Sequence, residues 1–179
     1  PDAADSQSAN PTTDAPVDTE QNEAAVDAII AANPEQVESQ RLAGLWNYQS
    51  TAVTHQTVRQ KTATLHNLRP DVDDPGNFAV VPTVQLVLRN DPRWGQSVYL
   101  VIEDGRFECG NPCKFLIAID AAAPRRFAGK ASSTGTRPAL FIEDDAAFIA
   151  ALEGAQRLRI APVEGRSAPI LFEVGGFSK

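Results

Sequence analysis

Two cysteines, Cys109 and Cys113, stand in the segment DGRFECGNPCKF, and the chain has no others. The Gly, Asn and Pro between them favour a turn that brings the sulfurs together, so a small disulfide loop is the expected chemistry. The other reading of the pair is half of a metal site, which would need two further ligands from His55, His66 or a carboxylate. The missing second cysteine pair weighs against it. The two histidines flank a polar, Thr- and Gln-rich stretch, with no nucleophile or carboxylate that spacing alone would place beside them. They are expected to be exposed, on an edge strand and its loop. DVDDPGN, residues 71–77, opens like a calcium loop, with Asp71, Asp73 and Gly76 at the first, third and sixth positions. The twelfth falls on Pro82, which cannot ligate, so a solvated loop is expected. GxSxG, Walker and GxGxxG motifs are all missing from the sequence. No catalytic residue, metal or cofactor is assigned.

Binding chemistry is easier to place. Trp46, Tyr48, Trp94 and Tyr99 combine apolar area with a hydrogen-bonding atom, a pairing enriched at interfaces. Trp46 opens the first strand and is expected to plug the core. Trp94 lies in the polar connection NDPRWGQ beside Arg93 and is the better surface candidate. Arg125 and Arg126, following AAAP, form a compact basic pair expected in a loop. Trp94, Arg93, Arg125 and Arg126 are therefore the candidate partner-binding residues.

The elements that must position these residues read mainly as β-strands. From Leu45 onward the apolar period is two, broken by turn signals at the spacing of an antiparallel sandwich or small barrel. TVQLVLR and SVYLVIE read as a hairpin across NDPRWG, with Val84, Leu86 and Leu88 facing as Val98, Leu100 and Ile102 do. Asp104 and Gly105 then supply a turn that leads through RFEC to KFLIAID, where Phe115, Ile117 and Ile119 alternate. One helix interrupts the strands: Asp144 and Asp145 suit its start, and Phe148, Ile149, Leu152 and Ala155 form its apolar stripe, with Gly154 near the end. It is expected to pack on the sheet. QRLRIAP and APILFEV then close the domain, through Leu158 and Ile160 and through Ile170, Phe172 and Val174.

Residues 1–23 are almost wholly polar, small or acidic and are expected to form a disordered tether. Residues 24–44 are helix-compatible: Val26, Ile29 and Ile30 share a side, Asn33 and Pro34 stop the run, and a second short helix fits Glu35 to Leu42 before Gly44. The β-rich domain is expected over 45–179. Residues 1–44 carry nine acidic side chains against Arg41 alone, so the net charge of −7 resides in the arm. The near-neutral domain argues against nucleic-acid binding, which needs a basic face. No run approaches the ~18 apolar residues of a membrane span. Methionine is absent, position 1 included, and a removed leader is the simplest account. With such a leader the cysteine pair would sit in an oxidising compartment.

The order LVLRNDPRWGQSVYLVIEDGRFECGNPCKFLIAID, ALFIEDDAAFIAALEGAQRLRI and APILFEVGGF, over roughly residues 83–177, resembles a family of uncharacterised bacterial periplasmic proteins and lipoproteins. More remotely it is similar to the C-terminal domain of type VI secretion-associated periplasmic proteins and to the invasion-associated locus B family. The matching positions are Cys109, Cys113, Asp120, Phe148, Leu152, Ile160, Phe172, Gly176 and Phe177. The resemblance implies a disulfide-bearing β-sandwich plan and an envelope location, periplasmic or lipid-anchored at the outer membrane by a cysteine upstream of Pro1. It carries over no catalytic residue, and residues 45–80 match nothing in it. The expected function is a non-enzymatic module that binds another envelope or secreted protein, such as a secretion-system accessory. The alternative is an inhibitor or immunity protein against a cell-wall hydrolase or toxin, and a hydrolase is a minor third.

Overall fold

The computed structural model describes residues 33–54, 57–69, 82–103, 107, 109, 112–132, 138–163 and 168–178. The tether expected over 1–23, the helical stretch before Asn33, His55, the loop 71–77 and the Asp104–Gly105 turn lie outside the described residues. The chain divides into two units, Pro1–Val37 and Glu38–Lys179. Helix α1 (Pro34–Leu45) crosses that boundary; the Val37 N–H donates to the Asn33 carbonyl in its opening turn, which holds the proline. The expected helix was shorter, from Glu35 to Leu42; the observed one runs through Gly44 to Leu45.

After α1 the second unit is a single antiparallel sheet of nine strands with one helix inserted between strands, as the period-two patterning predicts. The strands are β1 (Asn47–Ala52), β2 (Arg59–His66), β3 (Val84–Asp91), β4 (Gly95–Ile102), β5 (Cys113–Ile119), β6 (Arg125–Ala131), β7 (Ala139–Ile142), β8 (Arg157–Pro162) and β9 (Ile170–Glu173). Their spatial order is β1-β2-β3-β4-β7-β6-β5-β8-β9. The first four form a meander and include the expected hairpin, with Leu86 opposite Leu100 and Leu88 opposite Val98. The next four make a Greek key, in which β8 returns to lie beside β5. β4 therefore pairs with β7 and not with the strand that follows it in sequence. Helix α2 (Asp145–Leu152) occupies the long connection from β7 to β8.

The apolar faces of these strands meet in one core. Val84, Leu86, Val98, Leu100, Leu158, Phe172 and Val174 are essentially inaccessible, and α2 adds Phe148, Ile149 and Leu152. The Asp144 side chain accepts from the Ala147 N–H and caps the helix, as expected. Gly154, at φ +74°, takes the left-handed turn that ends it. Phe127 of β6 meets the Phe148 ring edge-on at 6.3 Å. Gly129 lets β6 come close at this point, because a Cβ there would lie 2.7 Å from Phe115 Cε1.

The sheet is rolled, since its two ends are bonded to each other. The Leu68 N–H, just after β2, donates to the Leu171 carbonyl of β9 at 2.7 Å. Trp46, just before β1, donates its indole N–H to the carbonyls of Val174 and Gly175. Trp46 thus plugs the core, as its position at the head of the strands suggested, and it packs against Phe177 with ring centroids 5.0 Å apart. Two polar residues hold irregular backbone in place. Asn67 accepts from Val84 N–H and donates to the Pro82 carbonyl. Asp120, the one described non-glycine residue with positive φ (48°), accepts from the N–H groups of Gln156 and Arg157.

Candidate functional site

The β3–β4 turn is built around a buried carboxylate. Asp91 is only 1% exposed. Its Oδ1 accepts from the Arg93 backbone N–H at 2.8 Å, and its two oxygens accept from Nε and Nη2 of the Arg93 guanidinium at 3.1 Å. A polar connection in the sequence is therefore a locked loop, closed by Gly95 at φ +75°. Trp94, between the lock and the glycine, is 73% exposed. Arg93 turns its guanidinium back onto Asp91 while about half of its side chain stays exposed beside Trp94.

The Arg93 guanidinium beside Asp91 is the main cause of a carboxyl pKa held down at about 2, with burial opposing it. The folded value lies below that of an unfolded aspartate, so the carboxylate stabilises the fold fully above about pH 4 and progressively less as pH falls toward 2. In thermal unfolding between pH 2 and 6, Asp91→Asn is expected to be less stable than the parent at pH 6. The two should converge as pH falls below 4. Parallel curves throughout would show that Asp91 does not carry the acid dependence.

Arg125 and Arg126 are not in a loop: they are the first two residues of β6, opposite Ile117 and Leu116. The pairing with β5 extends back to them because the Arg125 guanidinium covers the Phe127 ring at 5.6 Å, which lets a charged residue continue an apolar alternation. Register brings the basic pair toward Trp94. Leu100 of β4 lies level with Leu140 of β7, and Leu140 with Ala131 of β6, so Arg125 falls level with the Trp94 end of β4. β7 separates β4 from β6 only over Ala139–Ile142, so this shared level is one of register and not of contact.

His66 ends β2, which is flanked by β1 and β3 and is therefore not the edge strand expected. The histidine also has a partner that spacing could not place: its Nε2 lies 3.0 Å from Oε1 of Glu103, just beyond β4. Both side chains are substantially exposed. Cys109 and Cys113 are joined in a disulfide with their Cα atoms 5.1 Å apart, the first of the two chemistries the spacing allowed. Among the described residues no group of three His, Cys, Asp or Glu side chains is arranged to hold a metal ion. No described helix is long and apolar enough to cross a membrane.

A groove of about 460 Å³ opens on the inner face of the β1–β4 meander, which the sequence reading missed. Register aligns Tyr48, Ala63 and Leu88 across it as one row and Ser50, Lys61, Asn90 and Gln96 as the next. The first row is the deeper, with Ala63 and Leu88 buried. Ile149 of α2 adds to this buried floor and Phe177 to the wall. The Tyr48 hydroxyl accepts from the Ser178 N–H at 2.8 Å, which fixes the ring as part of the wall. Arg89 does not reach inward, because its Nε donates to Ser97 and its guanidinium covers the Tyr99 ring on the opposite face. The signal that could have found the groove is the pair Ala63 and Lys61, a small residue and a charge on a core-facing period.

These features define a disulfide-bearing, rolled antiparallel β domain with a rigid aromatic tip and an open groove at one end of the sheet. No family model, curated protein or solved structure matches the chain.

Proposed function

We propose that this chain is a non-enzymatic binding module of the bacterial cell envelope that captures another envelope or secreted protein through the tip carrying Trp94. The observation that carries the reading is the presentation of that indole: strongly exposed, on a turn held by a buried carboxylate and glycine. A rigid aromatic costs little entropy on docking, and Trp and Arg anchors dominate interface energetics. Arg125 and Arg126, whose strand register runs level with the Trp94 end of β4, are a second cationic surface for such a partner. The disulfide supports an oxidising compartment, periplasmic or lipid-anchored, as does the resemblance over residues 83–177. A narrow, locked tip is also the shape that enters an enzyme cleft, which favours an inhibitor or immunity protein over a hydrolase as the second reading.

Affinity capture from periplasmic extract with mass spectrometry tests the proposal. Trp94→Ala is expected to leave the fold intact and weaken the captured complex by about 2 kcal/mol, the hot-spot scale. Capture unchanged by the variant would reject the tip as the docking site. Hydrolysis of peptidoglycan or peptide by the purified protein, lost in His66→Ala, would move the function to the His66–Glu103 pair.

A further inference from the structure

The groove is independent of the tip, since neither Trp94 nor the Arg125–Arg126 pair lines it. Its chemistry is graded. Ala63, Leu88 and Ile149 form an apolar floor, the Tyr48 and Phe177 rings form a wall, and Ser50, Asn90, Gln96 and Lys61 ring the outer end. Its volume falls within the range of about 300–1,000 Å³ typical of small-molecule sites. The lining includes no Asp or Glu. Lys61 is exposed at the mouth and makes no ion pair with any described residue. Lys61 lines the outer row itself, while Arg59, two residues before it on β2, donates to the Ser50 hydroxyl beside it and adds to the positive charge at this end.

We propose that the groove binds a free long-chain carboxylate. The alkyl chain lies over Ala63, Leu88 and Ile149 against the Tyr48 and Phe177 rings, and the carboxylate pairs with Lys61. The complementarity is one of sign and grade: the apolar end is deep and the cationic end is at the solvent, so the ligand enters tail first. A long apolar cation meets no acid in the lining, and a neutral amphiphile forgoes the ion pair.

Laurate below its micelle concentration tests this in the full chain carrying Trp94→Phe, which leaves Trp46, packed on Phe177 and 6.4 Å from Tyr48, as the fluorescent reporter. Saturable one-to-one binding is expected. Lys61→Glu, a surface change, should weaken it at least about fivefold by reversing an exposed ion pair. Ala63→Leu should abolish it by filling the floor, with folding checked by circular dichroism. Equal affinity for dodecylamine or dodecyl maltoside would overturn the proposal, as would laurate affinity indifferent to Lys61→Glu. If laurate fails to bind while an acidic apolar peptide such as acetyl-Leu-Leu-Asp saturates the site, the occupant is a peptide and the proposal falls. Partner capture through Trp94 is read separately, in the chain with its tip intact, so either result can fail alone.

Discussion

Phe148→Ala is expected to destabilise the domain by about 3–5 kcal/mol, the range for removing a large aromatic side chain from a packed core. Phe148 is fully buried, at 0% exposure. Its ring is held on two sides, by the apolar stripe it shares with Ile149 and Leu152 and by the edge-on contact with Phe127. Helix α2 has only eight residues and no covalent constraint other than its two connections, so burial of this stripe is what keeps it on the sheet. In a domain of this size such a loss lowers Tm on the order of 10–20 °C. Chemical denaturation followed by far-ultraviolet circular dichroism gives the free energy directly. A loss below about 1 kcal/mol would mean that the helix is dispensable to the core.

Features that depend on neighbours in sequence were legible. The β3–β4 hairpin, the Asp144 cap, the α2 stripe and the alternation of Leu158 with Ile160 and of Phe172 with Val174 follow from period and cap chemistry. The Cys109–Cys113 bond follows from a four-residue separation. Features that depend on register were not. β7 is a four-residue strand, too short for its apolar run to fix a period, and it gains ladders from β4 and β6 on both sides. His66 and Glu103 are 37 residues apart and meet only when β2, β3 and β4 align. Composition also misleads at the tip. NDPRWGQ is a polar connection apart from its tryptophan, yet Asp91 is buried because Arg93 and a backbone N–H satisfy both of its oxygens, and such satisfaction cannot be read from residue type.

The same distinction bears on the candidate site. An exposed Trp94 was accessible to sequence reasoning, because a tryptophan between Arg and Gly in a turn has no core period to join. What makes it a usable anchor, the locked backbone, depends on tertiary burial. The groove is further removed still. It requires Ala63 to lie beside Leu88, and Tyr48 beside Ala63, so it exists only once three strands share a register. Binding surfaces of rolled sheets are in general properties of rows across strands, and rows are invisible to a reading made along one strand.

Trp46→Ala is expected to cost about 3–5 kcal/mol as well, but for a different reason. Trp46 is 4% exposed and precedes β1, at one end of the strand order, while the carbonyls its indole N–H reaches, Val174 and Gly175, follow β9 at the other. The side chain therefore fills the core and joins the two ends of the sheet. Substituting phenylalanine separates these roles, since Trp46→Phe keeps much of the apolar area and the contact with Phe177 but leaves both carbonyls without the indole donor. It is expected to cost about 1–2 kcal/mol, the scale of a buried hydrogen bond lost at one partner. Hydrogen exchange supplies the local readout. Trp46→Ala should lower protection at Leu68, whose N–H bonds to the Leu171 carbonyl across the same seam, more than at Leu86 or Leu100 in the central strands. Uniform loss of protection would instead mark Trp46 as ordinary core with no special part in closure. Full protection at Leu68 in the alanine variant would show that the seam is held without it.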